Sequence, residues 1–277
     1  MTDKILKFAN FIRYHFYCLL KLIMIFIIGS GSVFLAVCIF PLIRIFSFSK
    51  DKFKSRGRRF ISASFKGFVF LLRISGIVKV KISREDKIKL KTLKSKIIVA
   101  NHPSILDVVI LMSIIPGPDC IVGQQYAKTI LGGVIKQVFI LSSINIESLF
   151  KICKKTIDSG NNVLIFPEGT RTPQIGNAHY KKGAARIASY CNTDIQVLLI
   201  SGTDKRGLQK HNPFWSYNTK ENLVYEIRVL EEIKINDYKN LPSPVSAKRI
   251  TEKIVTMIQD AENENRRNSP FKTFNAV

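Results

Sequence analysis

The sequence predicts an α/β fold in which helices flank a mixed sheet, preceded by an N-terminal membrane helix or helical hairpin. Two observations predict it: short apolar runs alternate with helical segments from residue 97 onward, and residues 22–43 carry no charge. A chain of 277 residues is long enough for one sizeable α/β domain with an appendage. We therefore predict a membrane anchor at residues 1–80, a globular domain at residues 81–265 and a flexible tail at residues 266–277.

The N-terminal third is apolar and bordered by basic residues. Residues 22–43 are uncharged, and about 20 apolar residues suffice for a helix to cross the hydrocarbon layer. Basic residues are denser after this stretch, at residues 44–59, which by the positive-inside rule places the C-terminal side in the cytoplasm. Because the N-terminal flank is also basic, a hairpin or an in-plane helix pair is the alternative. Residues 60–80 are apolar but carry Lys66 and Arg73, which predicts an interfacial helix.

The excess of positive charge predicts an anionic partner. Lys and Arg number 43 against 20 Asp and Glu, which gives a formal net charge of +23. Much of this excess borders membrane-seeking sequence, which favours anionic lipid over nucleic acid. The five cysteines are an odd number without a Cys-x-x-Cys pair. This pattern argues against a disulfide framework or a zinc site and predicts reduced thiols.

Beyond residue 80 the pattern predicts a sheet with intervening helices. Residues 81–96 are a charged connection. The predicted strands are residues 97–100, 120–123, 162–166 and 195–200 and an edge strand at 224–230, with a further apolar run at 138–144. The predicted helices are residues 104–115, 126–137, 147–158, 181–190 and 245–264.

The first chemical motif, NHPSILD at residues 101–107, directly follows a predicted strand. Strand ends in α/β sheets commonly present reactive groups. A spacing of five places side chains about 140° apart on an ideal helix, so His102 and Asp107 can meet only if His102 lies in the turn before the helix. There the Asp107 carboxylate would fix the imidazole tautomer and leave the other ring nitrogen as a general base. His102 and Asp107 are therefore the candidate catalytic residues, and a buried histidine with satisfied hydrogen bonds is the alternative when this motif is taken alone.

The second motif, FPEGTRT at residues 166–172, also follows a predicted strand. Gly169 allows close approach of a ligand, and the guanidinium of Arg171 suits a phosphate group. Lys181 and Lys182 open the next predicted helix, and a helix N-terminus with lysines favours anions. The segment predicts a phosphate-bearing substrate, and a turn with an internal Glu–Arg pair is the alternative.

Together the two motifs resemble the signature of the glycerolipid and lysophospholipid acyltransferases, of the 1-acylglycerol-3-phosphate acyltransferase type. NHPSILD matches the NHxxxxD block and FPEGTRT the second block, and their order, their spacing and the apolar N-terminus agree. The resemblance covers roughly residues 90–230. It implies that His102 is the general base and that Asp107 orients it. It also implies a block that contacts the glycerol phosphate of the acceptor: Glu168, Gly169, Thr170 and Arg171.

The resemblance implies an enzyme that transfers a fatty acyl group from acyl-CoA or acyl-carrier protein to the free hydroxyl of a lysophospholipid. The acceptor most directly implied is 1-acylglycerol-3-phosphate, which would give phosphatidic acid. The family needs no metal or other cofactor. The expected location is a membrane, with the catalytic domain facing the cytoplasm.

Two departures from the family pattern leave another lipid acceptor open. Many members carry an arginine just after the strand that follows the first motif, whereas residues 138–145 read VFILSSIN, with Ser143 or Asn145 as the nearest polar substitute. Many members also have a proline in the later strand, where residues 195–197 read IQV. The phosphate of the acceptor would then be held by three cations: Arg171, Lys181 and Lys182.

Three alternatives explain less of the sequence. A non-enzymatic basic protein that binds anionic lipid or nucleic acid would explain the charge and the anchor but not the polar residues at two strand ends. A covalent route through Cys120 or Cys153 lacks an adjacent histidine. A lipid hydrolase lacks the Gly-x-Ser-x-Gly elbow.

Overall fold

The computed structural model describes residues 2–142, 144–172, 178–213, 216–218 and 222–268. Its helices are α1 (Thr2–Phe34), α2 (Phe40–Ile45), α3 (Lys50–Ile74), α4 (Arg84–Thr92), α5 (Asp107–Ile114), α6 (Gly132–Val138), α7 (Ile146–Asp158), α8 (Gly183–Cys191) and α9 (Ser243–Asn268). Its strands are β1 (Val78–Ile82), β2 (Ile97–Ala100), β3 (Asp119–Val122), β4 (Ile140–Leu141), β5 (Val163–Ile165), β6 (Ile195–Gly202) and β7 (Leu223–Ile233). A π-helical turn joins α1 to α2 at Leu35–Ile39, and 3₁₀ segments lie at Gln124–Lys128 and Ile235–Tyr238.

The described strands form one mixed sheet in the order β1-β7-β6-β2-β5-β3-β4. Strands β6 and β7 are antiparallel, and all other neighbouring pairs are parallel. The predicted fold class, a mixed sheet flanked by helices, is confirmed. The prediction that residues 224–230 form an edge strand is wrong, because β7 pairs with β6 on one side and β1 on the other.

Apolar side chains pack on both faces of the sheet. In β2, Ile98 and Ala100 belong to the cluster that includes residues of α3, α5 and α6. Ile97 and Val99 belong to the cluster that includes residues of α7, α8 and α9. Successive residues of a strand point to opposite faces, so a strand covered on both sides is apolar throughout. This accounts for the uninterrupted IIVA run of β2.

The N-terminal residues form a helical hairpin. Residues Lys4–Ile45 are one helix that is long and apolar enough to cross a membrane by length and composition. It begins well before residue 22, where the uncharged stretch starts. Helix α3 follows after a short turn, and the rings of Phe40 and Phe53, with centroids 6.0 Å apart, pack the two arms together.

The prediction of one interfacial helix at residues 60–80 is wrong at both ends. Helix α3 begins at Lys50 and ends at Ile74, and the residues that follow enter the sheet as β1. One face of α3 packs against α5, with Ile61 and Leu72 buried, so this helix contributes to the core of the domain. The opposite face exposes Lys66 and Arg73. The predicted domain boundary at residue 80 stays a prediction.

Other predicted elements differ in their limits. The charged connection at residues 81–96 contains α4, which begins after Ser83, whose hydroxyl accepts a hydrogen bond from the N–H of Asp86 at 2.9 Å. The helix predicted at residues 126–137 is split into a 3₁₀ segment and α6, and glycines at 132 and 133 disfavour a continuous helix. Helix α9 continues to Asn268, and the rest of the predicted tail lies outside the described residues.

The sheet brings the two chemical motifs together. Strands β2 and β5 are parallel neighbours, with Ile97 beside Val163 and Val99 beside Ile165. Their carboxyl ends therefore lie at the same edge, and the segments that follow them, residues 101–107 and 166–172, meet there. Strand β6 flanks β2 on the other side.

Candidate active site

His102 lies in the turn between β2 and α5, as the spacing of the motif predicts. Nδ1 of its imidazole is 2.9 Å from Oδ2 of Asp107, which is the first residue of α5. Because a carboxylate only accepts hydrogen bonds, this contact places the imidazole proton on Nδ1 and the lone pair on Nε2. Among the residues that the structure describes, none forms a hydrogen bond with Nε2. The pair has the geometry of a histidine base oriented by a carboxylate.

The carboxylate of Asp107 is itself held by Ser104. The N–H of Ser104 donates to Oδ2 at 2.7 Å, and its hydroxyl donates to Oδ1 at 2.7 Å. Both residues are completely buried. This side chain at the start of α5 therefore has a fixed orientation before any substrate arrives.

Residues of the second motif form hydrogen bonds with the main chain of His102. Oε1 of Glu168 accepts hydrogen bonds from the N–H of His102 at 2.9 Å and from the hydroxyl of Thr172 at 2.8 Å. The N–H of Thr172 donates to the carbonyl of His102 at 2.7 Å. The ring of Phe166 stacks on the imidazole, with centroids 4.3 Å apart. Together these contacts set both the position and the plane of the imidazole.

Glu168 is buried, and burial raises the pKa of its carboxyl. The hydrogen bonds from Thr172 and from the main chain of His102 act in the opposite direction. The resemblance implied a contact between Glu168 and the acceptor. One of its oxygens instead joins the two motifs, and the acceptor contact stays a prediction.

The three predicted cationic residues have different surroundings. A Cβ built on Gly169, whose φ is +65°, would lie 2.8 Å from Nζ of Lys181, so this ammonium lies against the turn of the second motif. Arg171 donates from Nη1 to the carbonyls of Leu208 at 3.0 Å and Gln209 at 2.7 Å, in the loop after β6. Lys182 is exposed at the start of α8. Phosphate binding by these three cations stays a prediction.

A protein-family model described as Acyltransferase matches residues 79–201, which run from β1 into β6 and include both motifs. Over these residues the chain is similar to the acyltransferase family. The matched residues include the whole dyad and the second motif, and they end before β7. We refer to them as the acyltransferase domain.

Relatives with known names are similar over part of their length. The 1-acyl-sn-glycerol-3-phosphate acyltransferase of Helicobacter pylori is 29% identical over 142 residues, which cover 47% of this chain and 57% of the relative. The enzyme of the same name from Cocos nucifera is 26% identical over 117 residues, which cover 39% of this chain and 37% of the relative. The chain thus spans less than two thirds of the length of these relatives.

A solved structure shares the fold over nearly the whole chain. It is the 1-acyl-sn-glycerophosphate (LPA) acyltransferase PlsC from Thermotoga maritima, with a TM-score of 0.63 and 17% identity. The match covers 90% of this chain and 98% of that one. At this identity the similarity concerns the fold, which includes the N-terminal helices as well as the acyltransferase domain.

An apolar cavity of about 530 Å³ reaches His102 of the dyad. Around His102 its lining includes Gly169 and Thr170 of the second motif, and Ser32 and Ser64 of the hairpin also line it. Its apolar walls come from the N-terminal hairpin and from α5, β3 and α6, and include Ile27, Leu35, Phe65, Phe68, Val109 and Phe139. The hairpin is therefore a wall of the candidate site as well as an apolar appendage, which the sequence did not predict.

Of the two predicted polar substitutes, only Asn145 lies within the described residues. Asn145 is exposed and is the N-cap of α7, where its side chain accepts a hydrogen bond from the N–H of Glu147 at 2.8 Å. Ser143 lies outside the described residues. Binding of a substrate by Asn145 stays a prediction, and capping α7 explains its presence.

Sequence reasoning missed Ser104, Thr172 and Tyr225. Ser104 and Asp107 have the Ser-x-x-Asp spacing of a capping box, a signal that predicts mutual hydrogen bonds at a helix start. Thr172 belongs to the second motif but was given no role. Tyr225 is completely buried in β7, and its hydroxyl lies 2.6 Å from that of Ser104. A tyrosine at an inward position of an apolar strand needs a partner for its hydroxyl, but the sequence does not identify that partner.

Proposed function

We propose that the chain transfers a fatty acyl group from a thioester, acyl-CoA or acyl-carrier protein, to the free hydroxyl of a lysophospholipid. The observation that carries this proposal is the His102–Asp107 dyad beside an apolar cavity. The acceptor best supported is 1-acylglycerol-3-phosphate, because the relatives that are similar over part of this chain are named as acyltransferases of this compound. The product would then be phosphatidic acid.

The cavity supports an acyl chain as the transferred group. Its volume of about 530 Å³ is in the usual range of sites for small ligands, and its walls are almost entirely apolar. Burying an apolar chain there is favourable by about 0.8 kcal/mol for each methylene group. The reactive carbonyl of a chain bound in this way would lie beside the imidazole.

Acyl transfer needs one group that acts first as a general base and then as a general acid. Nε2 of His102 takes the proton of the acceptor hydroxyl while its oxygen attacks the carbonyl carbon of the thioester. The tetrahedral intermediate expels the thiolate, which receives the same proton from Nε2. Asp107 keeps the imidazole in the required tautomer and stabilises the imidazolium that forms between the two steps.

A covalent intermediate on cysteine is disfavoured by the burial of the thiols. Cys120 lines the cavity and is almost fully buried, which raises the pKa of its thiol far above the usual value. Burial likewise raises the pKa of Cys153 to about 12. Since the thiolate is the nucleophilic form, neither group is prepared to attack a thioester near neutral pH.

The cationic side of the site supports an acceptor that carries phosphate. Lys181 lies against Gly169, which together with Thr170 lines the cavity beside His102. Arg171 is tied through Nη1 to the loop after β6 and has further donors. Nη1 of Arg171 is thus already hydrogen-bonded to the protein, and residues 138–145 contain no arginine. Both observations favour, as a second candidate, the acylation of a different lysolipid by the same chemistry.

The transfer needs neither a metal nor an organic cofactor. The thioester is already an activated acyl donor, and the dyad supplies the proton transfer. The rate should therefore be the same before and after dialysis against a chelator. A rate that falls with the chelator and returns with one divalent ion would contradict this part of the proposal.

The N-terminal hairpin attaches the protein to a membrane, with the acyltransferase domain on the cytoplasmic side. Large apolar side chains are exposed on both arms, among them Phe26, Val37, Ile45, Phe70 and Ile74. Part of α1 instead packs on the domain: the rings of Tyr17 and Tyr217 stack with centroids 4.9 Å apart, and Lys21 donates to the carbonyl of Ser216. These contacts support a hairpin that lies along the domain.

The test is acyl transfer by the protein purified in detergent. Palmitoyl-CoA is offered with lysophosphatidic acid and, separately, with the lysolipids of choline, ethanolamine and glycerol, and both released CoA thiol and lipid product are measured. We expect the highest kcat/KM with lysophosphatidic acid and a decrease of about 100-fold or more in the His102→Ala variant. Preference for another lysolipid would establish the second candidate. The absence of transfer from both acyl-CoA and acyl-carrier protein to every acceptor would refute the proposed function.

A further inference from the structure

The dyad is the end of a longer chain of buried hydrogen bonds that reaches strand β7. The hydroxyl of Tyr225 lies 2.6 Å from that of Ser104, which lies 2.7 Å from Oδ1 of Asp107. The other carboxylate oxygen, Oδ2, lies 2.9 Å from Nδ1 of His102. Tyr225 is outside residues 79–201, which the family model matches.

The direction of each hydrogen bond follows from the chemistry of its groups. Burial, and next the nearby charge of Asp107, raise the pKa of Tyr225 well above its usual value, so its phenol stays protonated. The single hydroxyl proton of Ser104 is donated to the carboxylate of Asp107, which can only accept. The phenol of Tyr225 must therefore donate to Ser104.

No solvent can replace a member of this chain. Ser104, Asp107 and Tyr225 each have 0% of their surface exposed. A hydrogen bond lost in such a place is not compensated by water. Without the phenol, Ser104 Oγ would still accept the longer hydrogen bond from the N–H of Leu106 at 3.2 Å. The orientation of the Asp107 carboxylate thus depends on groups from the turn before α5 and from β7 together.

Charged groups adjoin both ends of the chain. Nζ of Lys205 lies 4.7 Å from the centroid of the Tyr225 ring and donates to the carbonyls of Ser201 at 3.2 Å and Val224 at 2.7 Å. This buried lysine joins β6 to β7 and fixes the ring. At the other end, Glu168 holds the main chain of His102.

We propose that Ser104 and Tyr225 are positioning residues for the catalytic dyad: Tyr225 acts through Ser104 to orient the carboxylate of Asp107 and to set how strongly it holds the protonated imidazole. The proposal rests on the proposed function for its kinetic consequences, whereas the hydrogen-bond chain itself does not depend on it. It makes β7 a supporting element of the site.

The first test is Tyr225→Phe, which removes one oxygen and keeps the ring. Tyr238→Phe, in the 3₁₀ segment that follows β7, makes the same chemical change in a residue outside the site and is the matched control. We expect kcat to fall about 3- to 10-fold in Tyr225→Phe and to be unchanged in the control. Without the phenol of Tyr225, the hydroxyl of Ser104 is a weaker hydrogen-bond donor to Asp107. The carboxylate of Asp107 then binds the imidazolium of His102 more strongly. The acidic limb of the pH–rate profile should therefore move to higher pH.

The second test separates action through Ser104 from a general structural role. Ser104→Ala should lower kcat about 10- to 100-fold, because it removes a hydrogen bond to a charged group. If Tyr225 acts through Ser104, adding Tyr225→Phe to Ser104→Ala lowers kcat no further. Effects that multiply in the double variant, or a pH–rate profile of Tyr225→Phe identical to that of Tyr238→Phe, would overturn the proposal.

A third measurement remains decisive if the wild-type chain transfers no acyl group. The downfield N–H proton resonance of His102, identified by its loss in His102→Ala, reports the hydrogen bond to Asp107. It should shift in Tyr225→Phe and stay in place in Tyr238→Phe. An unmoved resonance overturns the positioning role, whereas a shifted resonance in an inactive protein supports it and counts against the proposed function alone.

Discussion

Oε1 of Glu168 lies 2.9 Å from the main-chain nitrogen of His102, so a residue of the second motif holds the base of the first. The two residues are 66 positions apart and meet because β2 and β5 are adjacent and parallel. The hydroxyl of Thr172 completes the arrangement by donating to the same carboxylate oxygen. The two motifs therefore form one hydrogen-bonded unit.

Removal of the Glu168 side chain should lower the stability of the protein and its kcat, rather than raise the KM for the acceptor. In Glu168→Ala the N–H of His102 loses its nearer acceptor, which we expect to cost about 1–3 kcal/mol of unfolding free energy and to lower kcat. Glu168→Gln retains an oxygen acceptor and should lose less on both counts. Thermal unfolding and steady-state kinetics measure the two effects. An unchanged melting temperature with a raised KM for the acceptor would instead indicate direct contact between Glu168 and the substrate.

The pH dependence of stability should carry a signature of Glu168. Burial raises its pKa in the folded state above its usual value near 4.5, so the folded protein binds this proton more tightly than the unfolded chain does. The contribution of Glu168 to stability is therefore greatest at low pH and is lost as the pH rises through the folded-state pKa. The melting temperature of the wild type relative to that of Glu168→Gln should therefore fall as the pH rises. A constant difference would contradict this.

Loss of the dyad should abolish catalysis with little effect on binding of the donor. We expect His102→Ala to lower kcat by about 100- to 10,000-fold, because general-base assistance is lost. Asp107→Asn should lower it by a comparable factor, since the amide permits the wrong imidazole tautomer. His15→Ala, which removes an exposed histidine on α1, is the matched control. Activity of His102→Ala within about tenfold of wild type would exclude this residue as the base.

A larger side chain in the cavity should shorten the preferred acyl chain. Gly31 lines the cavity, and a Cβ built there meets no atom within 4 Å, so the side chain added by Gly31→Leu starts in open space. Leucine is also a better helix former than glycine. We expect kcat/KM for palmitoyl-CoA to fall relative to that for octanoyl-CoA. Ser30→Leu, at an exposed position of the same helix, should leave the ratio unchanged. Equal ratios in all three proteins would show that the acyl chain binds elsewhere.

Cysteine variants distinguish direct transfer from a covalent route. Because burial raises the thiol pKa values of Cys120 and Cys153, we expect Cys120→Ala and Cys153→Ala to retain transfer. Any decrease should be small and should accompany a lower melting temperature, because each change removes one buried sulfur atom. An acyl-protein adduct in the wild type that disappears in one of these variants would establish a covalent intermediate.

The sequence predicted the dyad because its evidence is local. NHPSILD has a spacing of five that requires His102 to lie before the helix, and the structure places it there, with Asp107 at the first position of α5. The alternation of short apolar runs with helical segments likewise predicted the mixed α/β sheet, because each element reveals the face that it buries. The limits of the elements were less accurate, as the division of residues 60–80 between α3 and β1 shows.

Other features depend on partners that are distant in the chain. Apolar and polar residues alternate around Tyr225 as in any half-buried strand, so the sequence does not distinguish this residue. Only the pairing of β7 inside the sheet brings its hydroxyl to Ser104. The guanidinium of Arg171 has donors that suit a phosphate group, but its Nη1 donates to carbonyls in the loop after β6. The N-terminal hairpin has the composition of a membrane segment and also forms a wall of the cavity.

By itself, the sequence predicted which residues would carry the chemistry and on which kind of element each one lies, because side-chain identity and periodicity are local properties. The tertiary structure decided which groups face the dyad: Glu168 on its main chain, Tyr225 behind its carboxylate and the hairpin along its cavity. Periodicity records only that a face is buried. Which element covers that face is decided by the packing of the whole sheet and its helices.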